Sequence, residues 1–295
     1  MSGYEPQTLI RARAKELLES GHVQCVIGYE SGSRGQVRPA FIREAGDVDR
    51  LVWNQGCTHN LVTYLRDKKQ AGGSGEQPPR VAIVVKPCDS RALNILLAEK
   101  QIEREHIYAI GVVCAGVVEG AGFAGQCSDT LQARCLRCSD REPVVSDLLV
   151  GEPIRKDNKD GFIDVEKLEA MSSDERAAFW LKQFDRCILC FACRQVCPGC
   201  YCSVCMFERD DSLWVGIATG IKEKEFFHLG RAFHLATRCV GCDECERVCP
   251  MELPLSLLNR KLNKEVQALF HYRAGDEPAQ SPLSTMLADG EESPV

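Results

Sequence analysis

Val81-Ala82-Ile83-Val84-Val85 is an unbroken apolar run that passes directly into Lys86-Pro87-Cys88-Asp89. Its length and its content of valine and isoleucine are those of a strand buried on both faces. Arg91 to Gln101 follows with helical spacing of its apolar residues, and Asp89 is its expected N-cap. Ile107 to Val113 is a second apolar strand. Strand, helix and strand in this order form a β-α-β unit, so the strands are expected to run parallel through a right-handed crossover. The first half of the chain is therefore read as α/β.

Working outward, Thr8 to Ser20 has helical periodicity, with Gly21 as its C′ stop. His22 to Tyr29 alternates as a strand, Ser31 to Gly35 reads as a turn, and Val37 to Arg43 as a further strand. Cys57 to Lys68 is expected to be helical, and the Gly-rich stretch from Ala71 to Pro79 a flexible loop. Downstream, Cys127 to Asp147 looks irregular. Ser172-Ser173-Asp174-Glu175 is a capping box opening a helix through Phe184. Lys222 to Thr237 is amphipathic, and the last helix spans about Leu255 to Phe270. The tail from Ala274 is rich in Pro, Ser, Gly and acid and reads as disordered or partner-binding. The expected organisation is an α/β domain with parallel strands over residues 1–150, a mainly α-helical domain over 151–272 and an acidic flexible tail over 273–295.

The chain has 295 residues, 26% of them charged, and a net charge of -6, so no overall basic field speaks for nucleic acid or anionic lipid. Tyr108 to Val118 is too short and too Gly-rich to span a bilayer. The Met-Ser-Gly-Tyr start lacks a secretory pattern, so a cytoplasmic location is expected. Against that background, eighteen cysteines read as metal ligands rather than as a disulfide framework.

Eight of them need no further context. Cys187-x2-Cys190-x2-Cys193-x3-Cys197-Pro198 and Cys239-x2-Cys242-x2-Cys245-x3-Cys249-Pro250 share one spacing. Three sulfurs so spaced wrap one corner of a 4Fe-4S cubane, while the fourth cysteine of each run reaches the other cluster. The expected sets are Cys187, Cys190, Cys193 with Cys249, and Cys239, Cys242, Cys245 with Cys197. Structural zinc sites use paired C-x2-C rather than a triplet closed by C-P. The long spacer from Gly199 to Arg238 and the helix leading into the second run resemble the helical ferredoxins of the heterodisulfide reductase C-subunit and of succinate dehydrogenase iron–sulfur subunits. Cys200, Cys202 and Cys205 are surplus, either thiols surrounding a cluster or ligands of a further centre.

In the first half, Cys88 and Cys114 each lie just past a strand, on the carboxyl edge where open α/β sheets bind ligands. The helix dipole is expected to favour the Cys88 thiolate. Cys135-x2-Cys138 falls in the irregular segment that follows, and the four thiols are expected to converge on a third cluster. A zinc site, or cysteines buried as small hydrophobes, are the alternatives. Cys57 and Cys127 are reserve ligands, and Cys25 is a core residue. Gly120-Ala121-Gly122-Phe123-Ala124-Gly125 fits G-x-G-x-x-G but neither follows its strand directly nor opens a helix, so it reads as a loop. No acid/base or nucleophile constellation appears, so no residue is assigned a catalytic role.

Lys86-Pro87-Cys88-Asp89-Ser90-Arg91-Ala92-Leu93, Gly111-Val112-Val113-Cys114-Ala115-Gly116 and Cys135-Leu136-Arg137-Cys138 with Pro143-Val144-Val145-Ser146-Asp147 resemble the beta subunits of deazaflavin (coenzyme F-420)-reducing hydrogenases and formate dehydrogenases. Leu17 to Val23 and Ile27 to Glu30 fit the same family, and the likeness covers about residues 7–150. It implies one 4Fe-4S cluster on Cys88, Cys114, Cys135 and Cys138, and often FAD, within residues 1–150. It also implies hydrogenase, formate dehydrogenase or heterodisulfide-reductase-like partner subunits. The functional expectation is an iron–sulfur electron-transfer subunit of a multisubunit oxidoreductase. The alternatives are a flavin subunit that reduces a soluble coenzyme (deazaflavin, NAD(P) or a folate) and a zinc-stabilised interaction protein.

Overall fold

The computed structural model describes residues 5–65, 79–118, 130–155, 161–209, 215–216 and 219–283. Its first half is a five-stranded sheet, with β1 (Cys25–Ser31), β2 (Val37–Ile42), β3 (Val81–Val85), β4 (Ile107–Val112) and β5 (Leu148–Val150) in the order β2-β1-β3-β4-β5. β3, β4 and β5 run parallel to β1, and only the edge strand β2 is antiparallel. Every residue of β3 and β4 is buried, as expected of central parallel strands. α1 (Pro6–Glu19) lies against β1, β3 and β5, and α2 (Pro87–Ala98) against β3 and β4. The mixed but mostly parallel sheet with its helices is the α/β class that the β-α-β unit implied.

Two local expectations are corrected. Asp89 is not the N-cap of α2 but its third residue, and its carboxylate accepts the backbone N–H of the capping residue Lys86 at 3.1 Å. Within 57–68, the described part forms only a 3-10 turn at Leu61–Leu65. Asn60 Oδ1 accepts the Val62 N–H at 3.1 Å, a local bond that competes with an α-helical start. The Gly-rich loop at 71–78, the glycine motif at 120–125 and residues 284–295 of the tail lie outside the described residues.

The second half is helical. α3 (Ala133–Leu136) is a single turn in the segment between β4 and β5, and α4 (Ile163–Glu169) follows β5. α5 (Ser173–Asp185) opens with the expected Ser172–Glu175 capping box. α6 (Ala192–Gln195), α7 (Ile221–His234), α8 (Glu244–Arg247) and α9 (Leu255–Phe270) complete it. Phe207, Phe227, Leu253 and Leu255 form a second apolar core with Cys187, Cys193 and Cys245.

The halves are joined by burial and charge together. Val240 and Cys242 belong to the same buried cluster as the sheet. Arg238 pairs with Glu99 at 2.8 Å, and the Tyr201 hydroxyl donates to Glu99 at 2.6 Å. Arg134 pairs with Glu244, and Arg137 with Asp243. Beyond α9 the chain returns to the sheet domain, where Arg91 donates to the Ala274 carbonyl at 2.7 Å and Asn94 to that of Gly275 at 3.0 Å.

Candidate metal centres

The two C-terminal cysteine runs fold alike. In the first, Leu189 and Phe191 take the left-handed conformation at φ 50° and 56°, and in the second Gly241 and Asp243 do so at φ 69° and 49°. These are the same positions relative to the first cysteine of each run, and each second left-handed residue caps a one-turn helix, α6 or α8. Three non-glycine residues held there mark an over-determined backbone of the kind found at functional sites. The first turn of each run directs an N–H at its own sulfur: Leu189 to Cys187 Sγ at 3.3 Å, and Gly241 to Cys239.

This backbone gathers the sulfurs in the crossed sets. Cys187, Cys190, Cys193 and Cys249 line one cavity, together with Ile188, Phe191, Phe227 and His228. The Leu253 N–H lies 3.5 Å from Cys249 Sγ. Cys239, Cys242 and Cys245 each lie within electrostatic reach of Cys197. The fourth cysteine of each run thus sits with the other run's triplet.

In the first half, Cys88, Cys114, Cys135 and Cys138 all line one cavity of about 80 Å³ at the carboxyl ends of β3 and β4. The turn after Cys114 needs Gly116, whose φ of 114° suits glycine and whose missing Cβ would stand 3.2 Å from that of Cys135. Gly116 directs its N–H at Cys114, and Val117 N lies 3.3 Å from Cys135 Sγ. Beneath this cavity Lys86 is wholly buried. Its Nζ donates to Asp89 at 2.8 Å, to the His59 carbonyl at 2.7 Å and to the Tyr29 hydroxyl, which fixes the entry to α2 next to Cys88.

One observation bears on iron–sulfur clusters against zinc, and two bear on thiolate-bound metal centres in general. Sulfurs around a tetrahedral zinc lie about 3.8 Å apart, which follows from a metal–sulfur bond of about 2.3 Å. Among the described residues, the only three potential ligands with all donor atoms within 4.8 Å of one another are Glu103, Glu105 and His106, so no cysteine set is drawn in to zinc dimensions. N–H bonds to sulfur, as here at Cys114, Cys135, Cys187, Cys239 and Cys249, are a recurrent feature of cluster ligation. Finally, Arg141 and Arg231 are buried, each has an Nε without a partner, and neither has a carboxylate ion pair among the described residues. Such cations need an anion nearby. Arg141 borders the first-half cavity, and Arg231 faces the sulfurs of Cys193, Cys197, Cys200 and Cys245. The residues fit the group.

Burial pushes Cys193 and Cys239 up to about 11, and Cys88, Cys242 and Cys245 well above the usual thiol range. For Cys88 this corrects the expected thiolate: burial, reinforced by Asp89, outweighs the pull of the helix terminus and the opposing charges of Lys86 and Arg134. Ligand binding at these thiols must therefore release protons.

The remaining cysteines separate clearly. Cys25 is buried in β1 as expected. Cys57 is fully buried and accepts the Asn54 N–H at 3.4 Å; it lies within electrostatic reach of Cys114 but does not border the first-half cavity. Cys127 lies outside the described residues. Cys200, Cys202 and Cys205 share a small cavity with Arg194, Arg231 and Arg238, and Cys200 interacts with Cys197. The sequence reading missed the arginines. Arg231 was visible as a charge on the apolar face of α7, four residues after the buried Phe227, and Arg134 and Arg137 each stand directly before a cysteine.

No family model matches the chain. It is 21% identical to the F420-dependent formate dehydrogenase subunit beta of Methanocaldococcus jannaschii, over 83% of this chain and 85% of the relative. It is 23% identical to the F420-dependent formate dehydrogenase 1 subunit beta of Methanococcus maripaludis, over 92% of each chain. A shorter stretch, 35% of this chain, is 32% identical to 11% of the acetyl-CoA decarbonylase/synthase complex subunit alpha 1 of Methanosarcina acetivorans. The likeness to formate dehydrogenase beta subunits therefore extends over both halves of the molecule. No helix among the described residues is long and apolar enough to cross a membrane.

Proposed function

We propose that this relative of the formate dehydrogenase beta subunits is a cytoplasmic electron-transfer subunit of a multisubunit oxidoreductase, with three 4Fe-4S clusters in series. Cys187, Cys190, Cys193 and Cys249 would hold the first, Cys239, Cys242, Cys245 and Cys197 the second, and Cys88, Cys114, Cys135 and Cys138 the third. The observation that carries this reading is the serial placement of the sulfur sets. Arg231 lies within reach of Cys193 of the first set and of Cys197 and Cys245 of the second. Arg134 lies within reach of Cys242 of the second and Cys88 of the third. The second set is thus the middle one, and it lies in the helical unit (residues 151–272) beside its seam with the α/β unit (residues 1–150), where Cys242 packs with the sheet's buried cluster.

Clusters of this type exchange single electrons without needing a proton donor or acceptor. The chain's own part is to space the centres, shield them from water and set their potentials through N–H···S bonds and buried charge. Cys190 and Ile188 are exposed, which makes the first set the end open to a partner. That partner is proposed to be a formate dehydrogenase or hydrogenase subunit, or a heterodisulfide-reductase-like module.

Anaerobic purification followed by iron, acid-labile sulfide and flavin analysis tests this reading. About twelve iron and twelve sulfide per chain are expected, four for each cluster. Zinc in place of iron would overturn it. Stoichiometric flavin together with reduction of a soluble deazaflavin or NAD(P) would replace it with an enzymatic role.

A further inference from the structure

Arg231 is the feature that electron transfer as such does not require. It stands on α7 and is 5% exposed. Its Nη2 donates to the Cys193 carbonyl at 3.0 Å and its side chain hydrogen-bonds to Cys200, while its Nε has no partner. The charges that face it are the sulfurs of Cys193, Cys197, Cys200 and Cys245, and no carboxylate among the described residues pairs with it. A buried guanidinium with no carboxylate partner is costly unless another anion compensates it. As ligating thiolates, the two sulfur sets on either side supply that anion. Arginine stays charged throughout the accessible pH range, so its effect is constant.

We propose that Arg231 is a positioning residue shared by both C-terminal centres, whose fixed positive charge raises the reduction potential of each. This rests on the cluster assignment proposed above. Adding an electron makes a thiolate-bound cluster more negative, and a cation held in a poorly solvated space between two such centres favours that change in both. The third centre lies beyond the second set and has Arg141 and Arg134 at its own cavity, so it should be little affected.

The test uses the anaerobically purified full chain as wild type, Arg231→Gln and Arg231→Lys, with iron and sulfide content and EPR-monitored redox titration as readouts. The expected result is unchanged iron in Arg231→Gln. Both C-terminal midpoints should fall by at least a tenfold change in reduction equilibrium, about 59 mV for a one-electron couple, while the third midpoint stays put. Arg231→Lys, which keeps the charge, should lie near wild type. Unchanged midpoints in Arg231→Gln, or a fall in one centre alone, would overturn the proposal. If Arg231→Gln loses iron, Arg231→Lys decides: wild-type iron and midpoints support the charge, whereas the same iron loss shows a role in assembly and overturns it. Absence of iron from the wild type would be a failure of the cluster assignment, and the two failures are told apart by that single measurement.

Discussion

His228 shows how far burial governs single side chains in this molecule. It is 3% exposed, stacks on Phe184 with ring centres 4.9 Å apart, and is held by burial, with a contribution from Arg231, down at about 4. Below pH 6.5 the unfolded chain binds a proton at this histidine that the folded chain refuses until about pH 4. Stability is therefore lost as pH falls through that window, by about 1.4 kcal/mol per unit. His228→Phe should keep the stack and remove this component. Urea unfolding at pH 7.5 and 5.5 should show wild type losing about 1.4 kcal/mol more than the variant, and equal losses would contradict the assignment. At this scale the cysteines were legible because spacing alone defines their chemistry. The arginines were less so: Arg231 stands out only as a charge on an apolar helix face, and nothing in the sequence places that guanidinium beside sulfur.

Among elements, the β-α-β unit from Val81 to Val112 and the helix Leu255–Phe270 could be read directly, because continuous apolar runs and strong amphipathic periodicity leave few alternatives. The 57–68 segment could not: its apolar residues suit a helix, but they are buried by a 3-10 turn behind the Asn60 side chain. The left-handed turns at Leu189, Phe191 and Asp243 were equally hidden, since only Gly241 advertises such a backbone. Those matched turns bring each fourth cysteine to the opposite triplet, and serine variants test the exchange. Cys249→Ser and Cys187→Ser should abolish the same EPR signal and cost about four iron each, while Cys197→Ser and Cys239→Ser should abolish the other. Pairing of Cys249→Ser with Cys239→Ser would refute the crossed arrangement.

For the molecule as a whole, what the sequence could not convey is adjacency. It marked a site at the carboxyl edge of the sheet and two sites in the helical half, but not that Arg134 would join them by donating to the Cys242 and Thr58 carbonyls and pairing with Glu244. That contact depends on folding two halves against each other across more than a hundred residues, beyond the range of any local pattern. The same seam puts the second sulfur set in the middle of the series, which is the central claim. Its most direct test is the EPR spectrum of the fully reduced, anaerobically prepared chain, compared with Cys242→Ser. The arrangement predicts that the wild type gives a broadened spectrum of magnetically interacting centres, and that loss of the middle centre leaves two simple, independent signals. A wild-type spectrum that is already the plain sum of isolated centres would contradict it.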